Sequence, residues 1–522
     1  MPMDHPEQDQ RAAIAFLQAQ GSDVERIDTH GAMIFLTGDS VFKLKRAVDL
    51  GYLDFSTLAL REAACRAELA LNRRTAPDLY LAVRPIRRGR DGLCWGEEGE
   101  GEVADWVVHM RRFPAQDLLT QVAARGGLSR SMLYALADGV AQFHADAHIC
   151  PGGDGAARMA QVIAGNARSF AAVPPDLLPV EDVARLQVQS LAALAKVADL
   201  LDARARTGKV RHGHGDLHLA NICLWQGRPV PFDCLEFDAE LATTDLLYDL
   251  AFLLMDLWHK GHRDAASLVV NRYTDRTGDE DGWPALPLFM SVRAAIRSHV
   301  CAATAARLEG AAREAKAGEA RAYLDAALDF LTAGAMGEGA GLIAVGGLSG
   351  TGKSTLAAAL APRIGGAPGA RWLRSDVIRK ALAGVAPEDR LPPEHYTKEA
   401  SANVYAAMTA QAQAMLERGW PVVVDAVFAA PGERAAIEAA ARKAGVPFLG
   451  LWLEADGATM QQRVSARFGD ASDADAAVVA RQMTYDCGDL SGWRRLAASG
   501  SPDAVARQAI EAAQHLFILQ KS

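Results

Sequence analysis

Residues 342–355 read Leu-Ile-Ala-Val-Gly-Gly-Leu-Ser-Gly-Thr-Gly-Lys-Ser-Thr. An apolar, strand-like run enters a glycine-rich turn, and a helix-forming run, 356–361, leaves it. Gly347 and Gly352 bracket a G-x-x-x-x-G-K-[ST] pattern, with Gly350 inside it. Glycines there let successive backbone N–H groups and the helix N-terminus wrap a phosphate chain. Lys353 is placed to reach the outer phosphates, and Ser354 to ligate Mg2+. Gly347, Gly350, Gly352, Lys353, Ser354 and Thr355 are thus the expected nucleotide-binding set. Strand and helix alternate through the rest of 342–522, which predicts an α/β domain with a mostly parallel sheet.

Other residues of that stretch say what such a loop works with. Val422-Val-Val-Asp425 reads as a buried strand ending in an acid, the expected support for the metal. In Arg374-Ser-Asp376-Val-Ile-Arg379 the acid and the second arginine lie three apart, on one face of a helix. Asp376 is placed to bind or deprotonate an acceptor hydroxyl, and Arg379 to hold an anionic or polar part of the acceptor. The competing reading makes Asp376 the N-cap of a helix beginning at Val377. Arg463 and Arg467, an i, i+4 pair after the strand 448–453, are candidate lid arginines for the transferred group.

With Asp376 and Arg379 forming an Asp-x-x-Arg after the second strand, residues 341–520 resemble the small P-loop kinases related to chloramphenicol phosphotransferase, zeta-toxin kinases and polynucleotide 5′-kinases. The resemblance implies ATP and Mg2+ as cofactors and a hydroxyl acceptor. No second, oligomerising AAA region follows, which argues against a mechanical ATPase.

The chain has 522 residues, enough for about three ordinary domains or two large ones. Its clearest seam is the Gly- and Ala-rich stretch 334–341, between a helical run and the strand at 342. Residues 1–333 are then a first domain, with a sheet-containing small lobe over about 20–115 and a helical lobe over about 116–333. Residues 342–522 are the second domain, and the seam predicts halves that fold separately.

Within the first domain, His214-Gly-Asp216-Leu-His218-Leu-Ala-Asn221 precedes a strand, a Gln-Gly-Arg-Pro turn and a second strand, Val230-Pro-Phe-Asp233. Phosphoryl transfer needs a carboxylate at the acceptor and oxygen ligands that hold Mg2+ against the phosphates. Asp216 suits the first task. Asn221, from the same loop, and Asp233, returned by the hairpin, suit the second.

That His-Gly-Asp-x-His-x-x-Asn loop, with Asp233 after the hairpin and Phe143-His144 ending an earlier helix, resembles the aminoglycoside phosphotransferase family and its choline-kinase-like relatives. The resemblance spans about 20–330. It implies an α+β protein-kinase-like two-lobed fold, catalysis by Asp216, and metal binding by Asn221 and Asp233. It also implies an ATP-anchoring lysine after the hairpin turn at Gly38-Asp39-Ser40, paired with a helix glutamate. Lys43 and Lys45 share one strand face, Lys43 being the first choice, and Glu68 is the helix partner. The short turn lacks a G-x-G-x-x-G. His214 reads as a loop-holding residue.

Composition limits the partners. Lys plus Arg number 55 against 64 Asp plus Glu, a net charge of −9, which argues against general nucleic-acid binding. Seven scattered cysteines, an odd number without a C-x-x-C, fit free thiols in a reducing compartment. No signal-peptide pattern opens the sequence, and no apolar run is long enough to span a membrane. The expectation is a cytoplasmic bifunctional phosphotransferase acting on small-molecule or 5′-hydroxyl acceptors. The alternative keeps one catalytic domain and makes the other a nucleotide-binding regulator. Acceptor identity and oligomeric state are not written in these features.

Overall fold

The computed structural model describes residues 7–49, 53–90, 92–96, 101–236, 238–332, 339–466 and 469–514. Two compact units account for them: residues 1–155 with 203–253, and residues 156–202 with 254–522. The expected linker, 334–341, lies largely outside the described residues, and the helices just before it group by contact with the second expected domain.

The first unit opens with α1 (Glu7–Gln18) and a six-stranded antiparallel sheet. Its strands are β1 (Glu25–Asp28), β2 (Ala32–Thr37), β3 (Ser40–Lys45), β4 (Tyr80–Gly89), β5 (Gly92–Trp95) and β6 (Val103–Arg111). They are ordered β1-β2-β3-β6-β4-β5. Side chains of β3 alternate between the two faces. Phe42 and Leu44 pack with Met33 and Phe35 of β2 and with Ile14 and Leu17 of α1. Val41 packs on the opposite face with Cys65 of α2 (Leu58–Asn72), Tyr80, Trp106 and Val108. Lys43 and Lys45 share Val41's parity, so they too are carried to the α2 face. Thr57 caps α2, accepting a hydrogen bond from Leu60 N at 3.2 Å.

After α3 (Leu119–Ala124) and α4 (Arg130–Asp146) the chain contributes α5 (Gly155–Ala171) and α6 (Val180–Arg206). It then forms β7 (Val210–His212), β8 (Ile222–Trp225), β9 (Arg228–Pro231), α7 (Ala239–Ala242) and β10 (Thr243–Asp245). β7 pairs with β10, and β8 with β9. Gln226 and Gly227 both have positive φ, 51° and 77°, as a two-residue hairpin turn matched to strand twist requires. The expected strand 230–233 is shifted: β9 ends at Pro231, and Asp233 lies beyond it at φ 60°.

The second unit holds α5 from Ala156 on, α6 up to Asp202, α8 from Leu254 on (the helix spans Leu246–His259), α9 (Arg263–Thr277), α10 (Leu286–Ala305) and α11 (Gly310–Asp329). Ser291 and Ser298 of α10 donate to Ala327 O and Ala320 O of α11 at 2.7 and 2.8 Å, tying the two helices together antiparallel. The sheet of this unit comprises β11 (Leu342–Gly347), β12 (Arg371–Arg374), β13 (Val422–Asp425), β14 (Phe448–Glu454) and β15 (Arg494–Ala497). All its pairings are parallel, in the order β12-β13-β11-β14-β15. Central β11 is buried along its whole length, as its unbroken apolar sequence dictates. Crossovers run through α12 (Lys353–Leu360), α13 (Ser375–Leu382), α14 (Lys398–Glu417), α15 (Pro431–Ala444), α16 (Gly457–Ser465) and α17 (Ala476–Gln482), and α18 (Pro502–Ala513) closes the fold. An α+β kinase-like region followed by an α/β P-loop domain is therefore the observed fold class.

Candidate active sites

The first site is assembled around a loop that one buried acid holds. Asp249 of α8 accepts hydrogen bonds from His214 N and Gly215 N, both at 2.8 Å. His144 Nε2, at the end of α4, stands 3.0 Å from the same carboxylate. Glycine is required beside it: a Cβ on Gly213 would lie 2.7 Å from Asp249 Oδ2. Arg74, just past α2, donates to His212 O at 2.8 Å and Gly213 O at 3.0 Å. The His214 ring is fully buried with neither nitrogen hydrogen-bonded, and burial holds its pKa down. It is a packed, neutral part of the loop.

Asp216 is brought against Asn221, whose Nδ2 donates to Asp216 Oδ2 at 2.7 Å and Asp216 O at 3.1 Å. His218 Nε2 lies 3.4 Å from Asp216 Oδ2. Phe232 N donates to Asn221 O at 2.9 Å, so the hairpin returns the chain beside its own loop. Asp233 is fixed from two sides. Its N–H donates to Tyr80 Oη at 3.2 Å, while Cys234 N donates to Asn72 Oδ1 at 2.8 Å. These anchors hold Asp233 in the left-handed region, a conformation costly for a residue with a Cβ.

Both candidate lysines reach Glu68. Lys43 Nζ is 2.8 Å from Glu68 Oε1 and 2.5 Å from Asp233 Oδ1. Lys45 Nζ is 2.6 Å from Glu68 Oε2, pairs with Glu236 and stands 5.1 Å over the Phe55 ring. Burial works against the Lys43 ammonium, but Asp233, Glu68 and Glu236 outweigh it and hold its pKa well above the ordinary value. Lys45 is raised in the same way, burial being outweighed chiefly by Glu68 and Glu236. Burial pushes the Glu68 pKa up, yet the two lysines overcome it and keep the carboxylate ionised. Only Lys43 spans from the helix glutamate to Asp233, whereas Lys45 is sealed at 2% side-chain exposure.

The second site is the loop between β11 and α12. Gly347, Gly350 and Gly352 all have positive φ, 138°, 86° and 95°. Gly350 is also sterically obligatory, since a Cβ there would sit 2.5 Å from Met460 O. Helix α12 begins at Lys353, three residues before the apolar pattern announces it, which puts Ser354 and Thr355 in its first turn. Lys353 Nζ is 3.0 Å from Leu348 O, and Ser354 Oγ donates to Asp425 Oδ1 at 3.2 Å. Asp425 ends β13 in register with Val345 and Arg374. Burial raises its pKa, only partly offset by Arg374 and Lys353.

Helix α13 starts at Ser375, not Val377, so Asp376 is not its N-cap but lies in its first turn, half-buried. The reason is local: the extended residue that precedes the helix is Arg374 at the end of β12. Arg379, one turn on, donates to His395 O at 2.6 Å and lies 4.9 Å over the Tyr396 ring. Arg463, on α16, is carried to the loop, its Nη1 3.5 Å from Gly350 O and 3.4 Å from Thr351 O. Helix α16 ends at Ser465, and Arg467 lies outside the described residues.

Among the described residues no three His, Cys, Asp or Glu side chains gather into a metal cage. Mg2+ held with nucleotide phosphates needs only one or two protein oxygens. Asn221 and Asp233 supply a hard amide and carboxylate pair at the first site, and Ser354 and Asp425 a hydroxyl and carboxylate pair at the second. Both sets fit. Residues that sequence reasoning did not place in the sites are Tyr80, Asn72 and Trp372, whose Nε1 donates to Asp425 Oδ2 at 2.9 Å. Their role, like that of Asp249 at the His214 loop, rests on contacts distant in sequence.

Fold and sites together define a chain with kinase-like folds in both parts. A family profile described as an AAA domain matches residues 342–485. An uncharacterized protein of Mycobacterium bovis is 30% identical over 485 residues, 90% of this chain and 92% of that protein. The chain belongs to the same family as that mycobacterial protein. Among solved structures, it is similar to a choline/ethanolamine kinase family protein from Mesorhizobium loti, with 14% identity, a TM-score of 0.39, and coverage of 62% of this chain and 94% of that one. It is also similar to a gluconokinase from Sinorhizobium meliloti, with 20% identity, a TM-score of 0.26, and coverage of 34% and 93%. No described helix is long and apolar enough to cross a membrane.

Proposed function

We propose that the chain is a bifunctional ATP-dependent phosphotransferase. Residues 1–333 and 342–522 each transfer the γ-phosphate of Mg-ATP to an alcohol group on a small-molecule or 5′-hydroxyl acceptor. The observation that carries this reading is a division of labour among carboxylates. In each region one acid, Asp216 or Asp376, is assigned to the acceptor. Another is engaged with a phosphate-binding side chain: Asp233 with Lys43 and Asp425 with Ser354.

At the first site the acceptor hydroxyl gives its proton to Asp216 while its oxygen bonds to the γ-phosphorus. The bond from that phosphorus to the β–γ bridging oxygen breaks, and ADP departs. Asn221 orients the Asp216 carboxylate, and Lys43 holds the α- and β-phosphates, kept rigid by Glu68. At the second site Asp376 has the base's part and Arg379 grips the acceptor. Lys353 and Arg463 neutralise charge on the transferred group. Mg2+, when bound by Asn221 and Asp233 or by Ser354 and Asp425, would supply charge neutralisation between the β- and γ-phosphates.

Label transfer from γ-labelled ATP, screened over metabolite, antibiotic and 5′-hydroxyl nucleic-acid acceptors, tests this reading in the full chain. Asp216→Ala and Lys353→Ala should each abolish a different set of labelled products. If one substitution leaves every product unchanged, that region is a nucleotide-binding regulator. Calorimetry with a non-hydrolysable ATP analogue and saturating Mg2+ should give a stoichiometry near two per chain. A value of one rejects the two-site reading.

A further inference from the structure

Strand β12 is an edge of the parallel sheet, and an edge strand leaves a row of backbone N–H and C=O groups without a ladder partner. Its inner side is satisfied by β13 and the residue before it, Arg371 N donating to Pro421 O at 3.0 Å. Its outer side is closed by one side chain of α9, a helix that the sequence assigns to the other domain. Asn271 Oδ1 accepts from Trp372 N at 2.7 Å, and its Nδ2 donates to Ala370 O at 3.2 Å. The carboxamide thus does for Ala370 and Trp372 what a neighbouring strand would do.

The same face of α9 grips the next side chain along. Arg371 Nη1 donates to Asn271 Oδ1 at 3.1 Å, and the guanidinium pairs with Asp275 at 2.6 Å and Glu280 at 2.9 Å. Asn271 and Arg371 are each 3% exposed. Trp372, whose backbone Asn271 holds, points its indole Nε1 to Asp425 Oδ2 at 2.9 Å. Asp425 presents its other oxygen, Oδ1, to Ser354. A chain of direct contacts therefore runs from Asn271 through Trp372 to Asp425 and Ser354.

We infer that Asn271 and Trp372 are positioning residues for the second phosphotransfer site: α9 sets the edge strand, and the edge strand sets the orientation of the Asp425 carboxylate. Trp372 fixes one carboxylate oxygen so that the other faces Ser354. Removing a partner that orients a metal-ligating side chain typically costs about 10–100-fold in metal affinity. The inference rests on the reading of Asp425 as a metal-supporting acid. It also means that a P-loop fragment cut at Gly339 lacks Asn271, Asp275 and Glu280, and leaves the edge of β12 and Arg371 without these partners.

The test uses the full chain carrying Asp233→Ala, so that the second site alone responds. The readout is the Mg2+ concentration that half-saturates binding of a non-hydrolysable ATP analogue, with Tm followed in parallel. Trp372→Phe keeps the ring packing and removes the donor to Asp425. It is expected to raise the half-saturating Mg2+ about tenfold, the value of one hydrogen bond to a charged group. Asn271→Ala is expected to raise it in the same direction, and the double variant no further than Trp372→Phe alone. If Asn271→Ala lowers Tm but leaves the Mg2+ dependence at the parent value, the helix is mere scaffold and the inference is overturned. If Asn271→Ala does not fold, an unchanged Mg2+ dependence in Trp372→Phe overturns it by itself. Asp425→Ala separates the two levels: when it too leaves the Mg2+ dependence untouched, the metal reading of Asp425 has failed, and the inference falls with it.

Discussion

The side-chain amide of Asn221 donates to the carboxylate of Asp216 at 2.7 Å, five residues back along the same loop. With its Nδ2 committed there, Asn221 has Oδ1 as its remaining polar atom, and Asp216 is held in one rotamer. The carboxylate and the amide are thereby oriented by each other. Asp216→Ala is expected to abolish transfer by the first site while nucleotide binding is largely retained, since the proposed lysine and metal ligands are other residues. Transfer of label to that site's acceptor at near the parent rate would rule out Asp216 as the acceptor-side base.

Asp249 organises the loop that carries Asp216 and Asn221. Replacing it by alanine removes an acceptor from the buried N–H groups of His214 and Gly215 and a partner from His144. Each unsatisfied buried donor costs roughly 1–3 kcal/mol, so Asp249→Ala should destabilise the fold by about 3 kcal/mol or more. Urea unfolding measures it, and a loss below about 1 kcal/mol would contradict the assignment. Gly213→Ala should act similarly, because its Cβ would press on the same carboxylate.

For the second site, Asp376→Asn separates chemistry from structure. Asp376 is not the N-cap of α13, and asparagine has nearly the same shape. Helix stability should therefore change little, while acceptor-dependent turnover should fall about a hundredfold or more if the carboxylate takes the hydroxyl proton. Retention of full turnover would remove Asp376 from the mechanism.

His299 gives a pH dependence with a definite sign. Its Nε2 lies 3.2 Å from Asn166 Oδ1, its ring meets Phe170 edge-on, and burial lowers its pKa from 6.5 to about 4. The unfolded chain takes up a proton below about pH 6.5 that the folded chain refuses until about pH 4. This contribution to stability is therefore complete above the unfolded pKa and is lost as pH falls through that window. The slope is at most about 1.4 kcal/mol per pH unit. Denaturant unfolding between pH 7 and 4 should show it, and His299→Gln should flatten it.

Much of both sites was legible in the chain because their chemistry is local. The span from Asp216 to Asn221 fits within one loop, and the span from Gly347 to Ser354 within one turn, so spacing alone fixes which atoms can meet. Strand β13 was readable to the residue, since four apolar or acidic positions bounded by a turn leave one register. Less legible was the end of β9. A turn with two left-handed residues and anchoring by Tyr80 and Asn72 place Asp233 outside the strand, and both anchors come from elements more than a hundred residues away. The competing start of α13 at Val377 fails for a similar reason: β12 ends at Arg374, and the helix follows directly.

By itself the sequence determined an α+β kinase-like region and a parallel α/β domain with a P-loop, because glycine placement, strand alternation and short motifs act over a few bonds. Tertiary structure decided which lysine bridges Glu68 to Asp233, which acid holds the His214 loop, and that α9 completes the edge of the second sheet. Those outcomes depend on distances between segments far apart in the chain. A carboxamide such as that of Asn271 carries no signature in sequence until packing brings an unpaired strand edge to within hydrogen-bond reach.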